Sequence, residues 1–473
     1  MWDIVGSDDK PEAGTMRRLS AWAVILSALT ASLATPVLAA SSQAPVFFRD
    51  SEVEDSLRAM AAPLLLKAGL EPGSVSIRVV LSPSVNVYTA PERTLVLSSA
   101  VVMGQPPEKV AALLAHGVAH LAHGDMPTLA NHRETDEKTT ISGIRTLAGL
   151  TMIGLTVLSR GDGAESSKAI NSYMVADPFP AEYPIYNSGQ EAAADREALR
   201  LLADQRWPVR GLVSVFQDGG GQDQRADDHQ SAFVRTHRLT DDRIGAMRNE
   251  AELLVADDGP LPGEVSERLS WAAEKMSALL DPPEKTLMRD RADKSDRAAR
   301  YGRAIALARQ NDLPASLSLL DGLLAEDPSS PFLRQARGRV LFTHADVRAA
   351  LQDYRSASDM RPDDALLALD WASAANEQAD VPAIRAVIPR LEEILSRVAE
   401  PDTAGPLWAA LGVAYGKCGD DVMASYALAE EALLKGEKSK AAYLGAKAAR
   451  AMAHSDRHWR RAREITELAS AGR

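Results

Sequence analysis

Two histidines stand four residues apart, His116 and His120, in the run LLAHGVAHLAHGD (113–125). In a helix, positions i and i+4 lie on one face, so both imidazoles can address one ion. A catalytic zinc site takes three protein ligands and keeps a fourth position for water, so a third donor is needed. The stretch SGQEAAADREALRLLADQRWP (188–208) offers Glu191 on a second helix, with Asp195 one turn later to orient a ligating histidine from behind. Each residue has a plain alternative. Histidines in an alanine-rich helix can simply be packed or solvated. Ser188-x-x-Glu191 has capping-box spacing, which would turn Glu191 back onto the Ser188 backbone. Asp195 can pair with Arg196 or Arg200, and His123 reads more readily as a helix end than as a ligand.

The histidines have the frame of H-E-x-x-H, but Gly117 holds the glutamate position. In that motif the glutamate takes a proton from metal-bound water and passes it to the leaving amine. Glycine can do neither, and losing a general acid–base costs ~10²–10⁴ in rate, about 3–5 kcal/mol of barrier. Glycine also costs about 1 kcal/mol relative to alanine inside a helix, so helix stability does not favour it. The expectation therefore splits: metal binding persists, and peptide hydrolysis is weak or absent. His123 is the candidate substitute base, while Glu197 points away from Glu191 on the second helix.

The rest of the chain must position these groups. It has 473 residues, 45% hydrophobic and 25% charged, in the range of a soluble globular protein of two or three domains. A net charge of −12 without a basic block excludes nucleic acid as a natural partner. One cysteine, Cys418, excludes an intrachain disulfide framework and a cysteine zinc ribbon. MRRLSAWAVILSALTASLATPVLAA (16–40) reads as a signal peptide cut after Ala39 or Ala40, with a membrane anchor as the alternative. Residues 1–40 are thus leader, with translation expected from Met16. Residues 51–70 have helical periodicity, VSIRVVL (75–81) reads as a strand, and VNVYTA and TLVLSSAVV form a hairpin around Pro91-Glu92-Arg93. Pro106, Pro107 and Glu108 open the histidine helix, which runs to about His123. LAGLTMIGLTVL (147–158) is too short to cross a bilayer, which takes about 20 residues. It reads as a buried helix, or as a lid or interfacial element that would allow peripheral membrane association. Residues 159–189 and 218–229 read as loops, and 190–204 and 241–281 as helical.

Beyond Ser295 alanine and leucine recur at helical spacing, with turns at Asn311-Asp312 and Asp327-Pro328. Pro328 and Pro362 are 34 residues apart, the tetratricopeptide period. WAALGVAY (408–415) sets Trp408, Leu411, Gly412 and Tyr415 in the order of that repeat. Four or five repeats are expected, with 366–401 irregular because Pro401 falls late; an undifferentiated helical bundle is the alternative.

LLAHGVAHLAHGDM resembles the active-site helix of the HtpX-type zinc peptidases, a family that includes the CAAX prenyl endopeptidases and reads L-A-H-E-L-A-H-x-x-N-G-D-M there. SGQEAAADREALRLL is similar to the family's third-ligand helix, E-x-x-A-D. NVYTAP and TLVLSSAVV match its edge-strand segment, and THRLTDDRIGAM (236–247) resembles T-H-P-x-x-x-x-R, with Arg238 in place of proline. Residues 279–324 resemble the linker and first repeat of periplasmic members with tetratricopeptide tails, such as the β-barrel assembly-enhancing proteases. The resemblance implies an α+β zincin-like domain over 41–260, mostly α with a small β-sheet. A helical linker over 261–295 and an all-α tetratricopeptide solenoid over 296–473 would follow. It implies one zinc ion per chain on His116, His120 and Glu191, with Asp195 behind. It also places His237 near the cleft, as a fourth ligand capping the open position or as a histidine that fixes a loop. Location would be periplasmic, and partners would be unfolded or outer-membrane client proteins, or their assembly machinery. These would be held on the concave solenoid face and, by β-augmentation, on the cleft's edge strand. Three functions follow: a zinc-binding protein that has lost standard catalysis and acts by binding, an active metalloendopeptidase of envelope quality control with a substitute base, or a metal-free scaffold.

Overall fold

The computed structural model describes residues 46–129, 184–219, 232–254, 259–289, 296–398 and 400–471. The expected leader, the apolar segment 147–158 and most of both loops lie outside these residues.

β-branched and apolar runs make a four-stranded sheet from β1 (Phe47–Phe48), β2 (Ser76–Val80), β3 (Val87–Ala90) and β4 (Thr94–Ser98). The order is β1-β2-β4-β3, with β2 parallel to β4 and the other pairs antiparallel. The β3–β4 turn carries Glu92 and Arg93 at φ 59° and 52°, the left-handed pair that suits the twist of a tight hairpin. Alternation sends Ile77, Val79, Val87, Leu95 and Leu97 into the main core, while Val80, Tyr88 and Val96 pack on the other face with Tyr186.

Helices cover the inner face. α1 (Ser51–Lys67) starts at Asp50, whose side chain accepts from the Glu52 and Val53 amides. α2 (Ser99–Gly104) follows β4. α3 (Pro107–His123) opens on a proline and stops at Gly124, in the left-handed conformation at φ 70°. It packs against α4 (Ser188–Asp204) and α5 (Arg210–Gly219). A short ribbon, β5 (Thr128–Leu129) with β6 (Pro184–Ile185), leads into α4. Then come α6 (Ala232–His237), α7 (Asp241–Leu254), α8 (Gly263–Leu280) and α9 (Pro283–Arg289).

Ten helices follow: α10 (Arg297–Arg309), α11 (Leu313–Glu326), α12 (Pro331–Thr343), α13 (Val347–Met360), α14 (Ala365–Gln378), α15 (Val381–Leu395), α16 (Pro401–Lys417), α17 (Asp421–Leu434), α18 (Lys438–Ala451) and α19 (Trp459–Ser470). Short connections fold each helix onto the one before. Asp296, Asp312, Ser330, Asp346, Asp364 and Asp420 cap starts by accepting backbone N–H groups. Small residues set the closest approaches: a Cβ on Gly412 would lie 2.7 Å from Leu428 Cγ, and one on Gly338 2.9 Å from Tyr354 Cδ1. Among the described residues no helix is long and apolar enough to cross a membrane.

One apolar core runs from Val46 to Val340, joining the sheet, α1, α3 and α8 to α10, α11 and α12. A buried ionic knot sits beside it. Lys275 on α8 meets Asp50 at 2.9 Å and Glu52 at 3.1 Å, Arg339 on α12 approaches Asp50 at 3.6 Å, and the Tyr301 hydroxyl donates to Glu52 at 2.8 Å. Burial alone would raise the Asp50 pKa; Lys275 and Arg339 outweigh it and hold the carboxyl below its ordinary range.

Candidate metal centre

α3 places His116 and His120 one turn apart on its inner face, α4 supplies Glu191 from its first turn, and His237 ends α6. The α4 capping box is not Ser188–Glu191. Asn187 Oδ1 accepts from the Gly189 and Gln190 amides, both at 3.0 Å, and Gln190 Oε1 accepts from the Asn187 amide at 2.9 Å. The box is set one residue earlier, so Glu191 is released to point inward.

One donor atom from each of His116, His120, Glu191 and His237 converges, all within 4.8 Å of one another and all buried. His116 Nε2 lies 3.2 Å from His120 Nε2 and 3.2 Å from His237 Nδ1. Glu191 Oε1 is 2.8 Å from His237 Nδ1 and 3.8 Å from His120 Nε2, and its Oε2 is 3.4 Å from His116 Nε2. Tetrahedral ligands about 2.0–2.1 Å from zinc would sit roughly 3.4 Å apart, and the separations here, 2.8–3.8 Å, bracket that value.

The outer atoms fix the protons. His237 Nε2 lies 2.8 Å from the Val87 carbonyl, which only accepts, so Nε2 carries the proton. His120 Nδ1 faces Asp125 Oδ2 at 3.0 Å, and His116 Nδ1 faces Asp195 Oδ1 at 3.3 Å. With their protons turned outward, the three rings aim lone pairs inward at one another and at a carboxylate. A cation among them removes that repulsion, so these residues fit a zinc ion. Burial depresses His237 to about 4, which keeps it neutral. Burial would raise Glu191, but the Arg243 guanidinium holds it well below the usual range, as a carboxylate. Burial would lower His116, but its acceptors Asp195 and Glu191 raise it.

Three further residues belong to this arrangement. Arg243 on α7 grips Asp195 through Nε (2.6 Å) and Nη2 (2.7 Å), reaches Glu191 Oε2 at 2.5 Å, and donates to the His237 carbonyl. Its signal was an arginine six residues after His237 in THRLTDDRIGAM. Asp125 lay in the Gly-Asp-Met that follows α3, and Tyr186 had no signal. Tyr186 is fully buried and stacks on His120, with centroids 3.8 Å apart and planes 13° from parallel.

Gly117 is enclosed where α3 meets the sheet. A Cβ there would overlap Leu95 Cδ1 and lie 2.9 Å from Val87 Cγ2. The structure does not bring His123 into the cluster. It ends α3 on the solvent side, 34% exposed, with Nδ1 3.9 Å from Asp125 Oδ2. Glu197 faces Arg200 at 3.9 Å.

The edge strand is β3, and the Asn86–Ser98 backbone bond at 3.0 Å turns Val87 and Thr89 outward. These groups were expected to receive an extended chain, but they are already bonded. Val87 N–H donates to Asn86 Oδ1 at 2.9 Å, the Val87 carbonyl accepts from His237, and Thr89 N–H donates to the Tyr186 hydroxyl at 2.7 Å.

Residues 49–251, which carry α3, α4, α6 and the converging side chains, match the model of Peptidase family M48. Among curated proteins the chain is similar to the β-barrel assembly-enhancing protease of Yersinia pestis, 22% identical over 308 residues. The match covers 63% of this chain and 60% of that one, so the chain spans about three fifths of that relative's length.

Proposed function

We propose that this protein is a zinc-binding, peptidase-like protein of the bacterial periplasm that has lost ordinary peptide hydrolysis. It acts by holding unfolded or outer-membrane client proteins, or their assembly machinery. The observation that carries the reading is the packing at Gly117: the base is missing, and Leu95 and Val87 take up the space its side chain would need. A bound zinc ion supplies a concentrated positive charge and Lewis acidity. His116, His120 and Glu191 hold it, His237 closes the fourth position, Asp195 and Asp125 orient the rings, and Arg243 fixes Glu191. Four protein donors are the pattern of a closed, structural site. The export signal at 16–40 and the Yersinia relative's name support the location and the client class. The 34-residue step and the Gly412–Leu428 approach support reading α10–α19 as tetratricopeptide pairs whose face holds the partner.

Metal analysis and proteolysis on the same full-length preparation test this. The expected result is about one zinc per chain with no cleavage of casein or of an unfolded β-barrel protein. Cleavage that a chelator abolishes would reject the reading.

A further inference from the structure

Two side chains stand at the outer edge of β3 where a neighbouring strand would stand. Thr89 N–H donates to the Tyr186 hydroxyl as it would to a strand carbonyl. The Val87 carbonyl accepts from His237 Nε2–H as it would from a strand amide. The two contacts are spaced i, i+2, the outward period of an antiparallel strand. We propose that Tyr186 is a gate on this edge: its hydroxyl occupies the place of the backbone carbonyl of an added extended polypeptide, which binds only after Tyr186 has left. The proposal rests on reading the cluster as a metal site that does not hydrolyse.

The hydrogen bonds around the phenol form a directed circuit. Thr89 Oγ1–H donates to the Asp125 carbonyl at 2.7 Å, which leaves Oγ1 to accept from the Tyr186 hydroxyl at 2.9 Å. That hydroxyl in turn accepts from the Thr89 amide. The Val87 N–H and carbonyl, the Thr89 N–H and both hydroxyls are thus paired with no strand present. The Tyr186 amide donates to the Thr236 carbonyl at 3.2 Å, so the gate is tied to the residue before His237. Tyr186 also sits two residues before α4, on a different element from the strand it covers, so its departure leaves the β3–β4 ladder intact. The ligand class follows from the contacts. Only unpaired, extended backbone offers a carbonyl and an N–H at this spacing, so the partner is an unfolded segment without proline at the bonded positions.

The test uses the full chain, a fluorescein-labelled unstructured decapeptide of alternating threonine and valine, and the same peptide N-methylated at every residue, so that neither edge can pair. Tyr186→Phe removes the hydroxyl and keeps the stacked ring; Thr89→Val removes the acceptor that holds the hydroxyl and serves as a second variant. Zinc content and circular dichroism establish that each variant is folded. Anisotropy should show the plain peptide binding roughly 5-fold tighter to either variant than to wild type, the worth of one ordinary hydrogen bond. The N-methylated peptide should show no gain. In the variants the backbone amide at position 89 should exchange faster with deuterium, and peptide should slow it again. Equal affinity for wild type and folded variants, or equal gain with the N-methylated peptide, would overturn the gate. Probe integrity is followed alongside: cleaved probe with the gain present rejects the non-hydrolytic reading and leaves the gate standing, whereas intact probe with no gain rejects the gate alone.

Discussion

Leu95 Cδ1 lies inside the contact distance of any Cβ placed on Gly117, with Val87 Cγ2 only 2.9 Å from it. Helix and sheet therefore meet here more closely than a side chain permits. Gly117→Ala should destabilise the protein by about 1–3 kcal/mol through overpacking, although alanine favours a helix by about 1 kcal/mol. Leu95→Ala alone should cost about 2–5 kcal/mol. The double variant should cost less than the sum by more than about 0.5 kcal/mol, read from urea melts. Strict additivity would mean the two do not share the space. Gly117→Glu by itself should recover little hydrolysis, since Leu95 and Val87 must shift to admit even its Cβ.

Asp195 and Asp125 lie outside the four converging donors, yet each faces the Nδ1 of a ring that could hold the ion. Replacing either with alanine should weaken zinc binding by roughly 10–100-fold, measured by competition with a chromogenic chelator. His116→Ala and Glu191→Ala should lower affinity further. Unchanged affinity in the Asp195 variant would show that His116 is oriented by something else.

Asp50 gives a pH prediction away from the metal. Its folded pKa lies below the ordinary 3.8, so the stability it contributes is complete above the unfolded value and is lost as pH falls through the folded one. Asp50→Asn keeps a side-chain cap but removes one of the two carboxylates on Lys275. It should cost about 3 kcal/mol near neutral pH, and its difference from wild type should shrink as pH drops below about 4. A difference independent of pH would mean that the cap, not the charge, is what matters.

Gly412 lies against Leu428 across the α16–α17 approach. Gly412→Leu should push these helices apart and cost about 1–3 kcal/mol. Hydrogen exchange should show the loss in α16–α19 while the β3–β4 ladder stays protected. Loss spread evenly over the chain would contradict such local coupling.

Much of the site could be read from spacing, because helical periodicity alone puts His116 with His120 and turns Glu191 toward Asp195. The hairpin was readable from its turn and its β-branched runs. What escaped depends on long-range approach. Tyr186 meets Thr89 across 97 positions and Arg243 meets Asp195 across 48, and no local pattern encodes such meetings. The Ser188–Glu191 box, the plain alternative to a ligand role for Glu191, does not form because Asn187 and Gln190 carry the same cap chemistry one residue earlier. The filled space at Gly117 also escaped, since a glycine in a sequence does not say what leans on it.

The apolar core that crosses from the sheet to α12 limits how this chain can be divided. A protease nick between Arg289 and Asp296 would leave two fragments, each baring the surface that the other had covered, with Lys275 on one side and Arg339 on the other. Such fragments should stay bound to each other until denaturant parts them. An evolving relative could not exchange its helical tail for another without rebuilding the underside of the half that carries the histidine cluster.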